Sequence, residues 1–339
     1  MIGFFFRRLL LAIPLVLAAS LIIFLIFELS NVDPAQRYLG ERSQNEEVVQ
    51  QLREEWGLND PAPERYVRFV WNAMRGDFGK SIRTGRPVAD EIRERLPATI
   101  ELAGAALLLS TIFGLVSGIV AGLKRNSIYD YTAMSIALLG VSLPVFWLAL
   151  LLAWLFGQKL GWLPLDQRYN LIYSGTVPTR TGLWVVDAAL SGNWDAFKDG
   201  LAHLVLPAVT LAAVSSALVA RMTRSSILEV VRADFIRTAE AKGVSRARWL
   251  WHVLRNALIP VVTIIGLEIP ALLGGAVITE TIFTWPGMGS LLIESILFGD
   301  IPAVQGLVMF LTVLFVVANI LVDITYAVLD PRIRVGKKA

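Results

Sequence analysis

The sequence predicts an all-α polytopic membrane protein, and three observations carry that prediction. Hydrophobic residues make up 55% of the 339 residues and charged residues 17%, against about a quarter charged in soluble domains. Mean hydropathy is +0.60. Six apolar runs, at 9–29, 96–123, 132–156, 203–219, 259–283 and 306–329, are long enough to span a bilayer, because about twenty residues at ~1.5 Å rise cross a ~30 Å hydrocarbon core. Cys is absent and His occurs only at 203 and 252, which excludes disulfides, thiol chemistry and a His-rich metal site. The net charge of +3 is small and no basic stripe is interleaved with exposed aromatics, so a nucleic-acid partner is not expected.

The first run follows Arg7-Arg8. Ala18-Ala19-Ser20 mimics a signal-peptide cleavage site, but the apolar stretch continues through Phe27, beyond the 7–15 residues usual for a signal core. It is therefore read as an uncleaved span. Residues 30–95 are polar and mixed in sign, with short helices expected at 46–56 and 64–74. Gly79-Lys80-Ser81 invites a phosphate-loop reading. That motif needs a second Gly five positions earlier, where Met74 stands, so no nucleotide loop is expected.

The second span carries Gly114, Gly118 and Gly122 at four-residue spacing, a stripe that permits close approach of a neighbouring helix. The third is interrupted by Pro144. Proline removes a backbone bond, and the freed carbonyls in a membrane need protein or a wet cavity to cover them. Ser142 and Pro144 are thus candidates for a translocation path. Segment 157–202 is external and rich in Trp, Tyr and turn residues, with Trp162 and Trp184 read as interfacial anchors. Pro207 is expected to open the fourth span, and 286–305 is read as an external turn without Lys or Arg.

Between the fourth and fifth spans, 221–260 forms a charged island with eight Lys/Arg and three acids from 221 to 255. Ala, Glu, Lys and Arg dominate 232–242, which predicts a short helix, and Gly243 sits where a helix C-cap belongs. A helix held at the membrane face suggests a surface offered to a soluble partner. The N-terminus, the turn at 124–125, the island and the tail together hold sixteen of the 31 Lys/Arg. The two short external segments hold four, and the remaining eleven lie in 30–95, a loop long enough to escape the charge bias. Both termini are accordingly placed in the cytoplasm.

Glu101, Glu268, Glu280 and Asp323 lie in or at the ends of spans. A carboxylate at membrane depth costs a few kcal/mol, so each needs a cavity, a partner or the interface. Glu268, beside Pro270, is the best candidate for a polar path. Glu280, near an outer end, suits a salt bridge or water contact. Asn319 and Asp323 are one turn apart and are expected to bond a neighbouring helix.

Ala239 with Gly243, followed by Leu258-Ile259-Pro260, resembles the cytoplasmic "EAA loop" of ABC importer permeases. Arg237-Thr238 stands in place of the usual Glu-Ala, and Pro260 lies 17 residues past Gly243, a variant typical of the dipeptide/oligopeptide branch. Gly274-Gly275-Ala276 through Trp285-Pro286-Gly287-Met288-Gly289 is similar to that branch's signature. So are Gly76-Asp77-Phe78-Gly79, Arg95-Leu96-Pro97, Val304-Gln305-Gly306 and the ending Asp330-Pro331-Arg332-Ile333-Arg334, with Asp33-Pro34-Ala35 departing only at Val32.

The resemblance implies a MetI-like ABC importer permease fold with six transmembrane helices and a long external loop after the first. It implies a span plus external segment at 1–95, a permease core at 96–331 and a cytoplasmic tail at 332–339. The chain would be the first of two homologous permease subunits in a bacterial or archaeal cytoplasmic membrane. It would pair with a second permease, two ATPase subunits and an extracytoplasmic binding protein that delivers a peptide. ATP and Mg²⁺ would belong to the ATPases, and no cofactor or catalytic residue to this chain. Coupling would run through a helix within 232–250, using Arg237, Thr238, Ala239, Glu240, Ala241, Lys242 and Gly243. Ser142, Pro144, Glu268, Gly274 and Glu280 would border the path. The rival is a proton-driven carrier using Glu268 and Glu280, which leaves the basic island without a task. A membrane enzyme finds neither a His-Glu-x-x-His pair nor a Gly-x-Ser-x-Gly elbow.

Overall fold

The computed structural model describes residues 2–30, 33–40 and 46–329. The expectations for Val32, for the ending at 330–334 and for the tail at 332–339 lie outside those residues. The described residues are helical and contain no strand, only an isolated antiparallel bridge between Lys80 and Pro87. Among the described residues five helices are long and apolar enough to cross a membrane, or six if one bent pair counts as a single span. The chain divides into two compact units, Met1–Ala98 with Pro286–Val317, and Thr99–Trp285 with the chain from Ala318 on.

The first unit contains α1 (Ile2–Leu29), α2 (Pro34–Leu39), α3 (Glu46–Glu55) and α4 (Ala62–Ala73). It also holds the first turns of α5 (Val88–Leu123), all of α12 (Met288–Phe298) and most of α13 (Ile301–Leu329). Tyr66 of α4 donates its hydroxyl to the Leu17 carbonyl of α1 at 2.9 Å, and Arg65 pairs with Glu28. Val88, Ile92, Met288, Leu291, Ala303 and Leu307 form the core, with Phe78 edge-on to Phe310. The Gly-Lys-Ser stretch is a turn: Gly79 has a positive φ of 82°, and its N–H donates to the Asp77 carboxylate at 2.9 Å. Beyond it, Ser81 donates to Asp300 at 2.6 Å. The expectation of a turn over 286–305 is corrected. Met288, Leu291 and Ser295 share one buried helical face, and that periodicity makes α12 part of the core.

The second unit is built around α9 (Trp194–Val231), which packs on α6 (Ile128–Ser142), α7 (Val145–Leu152), α8 (Trp184–Ser191) and α11 (Arg246–Ile282). Between α9 and α11 lies α10 (Asp234–Ala241). The glycine stripe of α5 faces α9. A Cβ on Gly114, Gly118 or Gly122 would come within 2.5, 2.5 and 2.9 Å of Val219, Thr223 and Ile227.

The expected interruption at Pro144 is a full break. Helix α6 ends at Ser142, α7 starts at Val145, and the stretch Val145–Lys159 is bent by 107° from α6. Pro207, by contrast, does not open the fourth span: it lies inside α9, which starts thirteen residues earlier. Pro97, Pro260 and Pro270 are likewise interior to helices. The charged island is also less loop than expected. Residues 221–231 close α9 and 246–260 open α11, because their polar residues sustain a helix as well as the apolar ones do.

Segment 157–202 is a folded module. A π-helical stretch (Ala153–Lys159) and a 3₁₀ turn (Leu171–Tyr173) precede α8. Trp184 is buried and stacked on Tyr169 at 3.6 Å between ring centroids, so it is a core residue and not an interfacial anchor. Trp162 is 68% exposed. Asp187, buried in α8, accepts from the N–H groups of Arg180, Thr181 and Gly182 and from the Thr181 hydroxyl at 2.8–3.1 Å. Burial alone would push its carboxyl up, but these four donors outweigh burial and hold it below the usual carboxylate range.

Candidate functional site: a helix presented between α9 and α11

Helix α10 has eight residues, too few to be stable alone in water, so tertiary contacts must hold it. Ile236 supplies the anchor. It is fully buried with Ile227 of α9 and with Val253 and Ala257 of α11, and Ile119, Trp249 and Leu254 pack around them. Around that anchor Phe235, Arg237, Thr238, Glu240 and Ala241 are exposed, Ala239 is half-buried, and Lys242 and Gly243 continue the exposed surface.

The helix end is closed by two carbonyl contacts. The Gly243 N–H donates to the Glu240 carbonyl at 2.9 Å and the Val244 N–H to the Ala239 carbonyl at 3.3 Å, the paired bonds of a Schellman terminus. Gly243 has a φ of +71°, a conformation that costs an L-residue about 1–2 kcal/mol. A Cβ there would meet nothing within 4 Å, so the backbone alone demands glycine. Gly243→Val is therefore expected to fray the last turn of α10 while leaving the rest of the fold intact. Faster amide hydrogen exchange confined to 239–245 is the expected readout, and unchanged protection there would contradict it.

The other residues read from the sequence are dispersed through the same unit. Ser142 is exposed, and its hydroxyl donates back to the Leu138 carbonyl at 2.8 Å. Pro144 and Gly274 are also exposed. Glu268 is 8% exposed and accepts a hydrogen bond from Ser215 of α9. Glu280 is fully buried and accepts from the Thr99 hydroxyl at 2.7 Å, so it does not face bulk solvent in this subunit. Twelve residues of helix, about 18 Å of rise, separate these two carboxylates, too far for direct proton exchange. Glu268→Gln preserves an acceptor for Ser215 and removes the charge. It is expected to change substrate flux with assembly intact, and failure to assemble would mark a purely structural carboxylate.

Three contacts escaped the sequence. Glu101 accepts from Arg168 at 2.6 Å and from the Val185 N–H at 2.8 Å, fixing the 157–202 module to α5. Arg224 of α9 grips Asp130 of α6 through two bonds of 2.6 and 2.8 Å. Ser215 meets Glu268 across 53 residues of sequence. No periodicity signals such pairs; only an unexplained charge inside an apolar run hints at one.

Residues 114–335 match the family described as binding-protein-dependent transport system inner membrane component, and residues 1–103 match its N-terminal family. The chain belongs to this family. It is 43% identical over 335 residues to the dipeptide transport system permease protein DppB of Alkalihalophilus pseudofirmus, covering 98% of this chain and 100% of that one. It is 42% identical to the di/tripeptide transport system permease protein DppB of Pseudomonas aeruginosa and 40% identical to the dipeptide transport system permease protein DppB of Escherichia coli K12. Each of these comparisons covers 98% of this chain and 99% of the other. Among solved structures, an amino acid ABC transporter with histidines is similar at a TM-score of 0.49 and 14% identity, over 70% of this chain and 94% of that chain. As a family member with several apolar helices, the chain is an all-α, multi-pass membrane protein and a transport permease. Among the described residues no group of three or more His, Asp or Glu is placed to hold a metal ion.

Proposed function

We propose that this permease is the first of two homologous membrane subunits of an ATP-driven importer of di- and oligopeptides. One observation carries the reading: α10 is seated by Ile236 and presents its charged face outward, as a docking surface for an ATPase must. The names of the relatives support peptide as cargo. Two ATPase subunits bind ATP and Mg²⁺, and an extracytoplasmic binding protein delivers the peptide. Both termini face the cytoplasm of a bacterial or archaeal cell, and 96–331 forms the permease core. Residues 237–243, within 232–250, carry the coupling. ATP binding favours one of two permease states only through the difference in affinity it creates between them.

Ser142, Pro144 and Gly274 offer exposed surface to the path. Glu268 and Glu280, buried beside Ser215 and Thr99, border it from within the bundle. The test is dialanine uptake into vesicles holding both permeases and the ATPases, with the binding protein supplied. The reading predicts uptake that requires ATP and the binding protein. Uptake that ignores ATP and follows a proton gradient would overturn it.

A further inference from the structure

We propose that the Asp130–Arg224 ion pair is the positioning contact that hands movement of α10 to α6; this rests on the reading of α10 as the coupling helix. Asp130 is 2% exposed, in the first turn of α6. Four features fix its carboxylate and the start of α6. Arg224 donates from Nε and Nη2 at 2.6 and 2.8 Å. The Asn126 N–H donates at 3.0 Å from a residue held at a φ of +59°. Ser127 caps α6 by accepting from the Asp130 N–H.

Arg224 stands one helical turn before Ile227, which with Ile236 forms the seat of α10. A displacement of α10 therefore reaches Arg224 through a single packed turn. Past the pair, α6 lies against α9 through Ala137, Ala217 and Ala220, and a Cβ on Gly140 would sit 3.0 Å from the Ala213 carbonyl. Contacts between small side chains fix distance but not register, since nothing directional resists sliding. A two-bond guanidinium–carboxylate pair does fix register, and setting register is the best-attested use of such a pair; here the Asp130 side chain is 3% exposed and that of Arg224 29%. Its consequence falls at the far end of α6, where Ser142 and Pro144 form the 107° break. The pair thus ties the base of the coupling helix to the broken helix, and sliding of α6 on α9 would dissipate the stroke without it.

The test uses the complete transporter, with the second permease, the ATPases and the binding protein, and reads dialanine moved per ATP hydrolysed. Asp130→Asn keeps an acceptor for Asn126 and Arg224 but removes the charge. The expected result is a fall in that ratio of roughly fivefold to tenfold, in the lower part of the range for coupling between sites, with ATPase co-purification undiminished. Arg224→Lys keeps the charge but not the two-bond geometry and should fall in between; it also serves if Asp130→Asn does not assemble. An unchanged ratio in assembled complexes, or fewer complexes with the parent ratio, would overturn the proposal. The two readings fail separately. If the ATPases still co-purify with Ile236→Asp, the reading of α10 is wrong. If that variant sheds them while Asp130→Asn keeps the parent ratio, only the role of the pair is wrong.

Discussion

Ile236→Asp is expected to release α10 from its seat and abolish ATPase docking. The side chain is fully buried among Ile227, Val253 and Ala257, and removing an aliphatic group of this size forfeits about 1.5–3 kcal/mol of burial. An unpaired carboxylate in the same place adds a penalty of several kcal/mol. An eight-residue helix has no reserve to absorb that loss, so the segment between α9 and α11 would unseat while both long helices persist. ATPase subunits should no longer co-purify, and ATP-dependent uptake should fall to background. Ile236→Leu, which keeps the apolar volume, should retain both. Normal docking by the aspartate variant would mean that the seat does not matter.

Gly118→Leu is expected to prevent normal packing of α5 on α9. A Cβ there would lie 2.5 Å from the Thr223 Cβ and 2.6 Å from the Ala220 carbonyl oxygen. The threonine could turn away, but the carbonyl belongs to the α9 backbone and cannot. The helices must move apart, undoing the neighbouring contacts at Gly114 and Gly122 as well. Overpacking of this kind costs typically 1–3 kcal/mol, and the shared stripe places this case at the upper end. The expected outcome is a lower melting temperature in detergent and little folded protein recovered from membranes. Gly104, on the same helix, has nothing within 4 Å of its would-be Cβ, so Gly104→Leu is the control and should behave like the parent. Equal stability of the two variants would contradict close α5–α9 packing.

Much of this architecture was legible in the sequence, because apolar length, glycine spacing and proline act locally. The break at Pro144, the stripe at 114, 118 and 122 and the stop at Gly243 each follow from one residue's backbone or size. The lengths of α9 and α11 were not legible. Hydropathy falls where a helix leaves its apolar zone, yet helix propensity continues through Arg221, Arg224, Glu229 and Arg248, so the charged island looked like loop. Helix α12 was missed for a related reason: without Lys or Arg its stretch resembled an external turn, and its buried face becomes evident only against Val88 and Leu307.

The site divides in the same way. The exposed face of α10 could be predicted from propensity and charge, but its anchor could not, since Ile236 is one apolar residue in a polar stretch until Val253 and Ile227 close over it. The partners of Glu101, Glu268 and Asp130 lie 67, 53 and 94 residues away. Only the tertiary fold decides which hydroxyl or guanidinium meets which carboxylate.

Gripping of α10 by an ATPase can be observed in the cell. The most direct measurement places a photo-crosslinking amino acid at Thr238, exposed on α10, in cells that express the complete transporter. The expected product is an adduct with an ATPase subunit that is lost when Ile236→Asp is added. Cross-links to lipid alone, or labelling of position 238 from outside the cell, would contradict it.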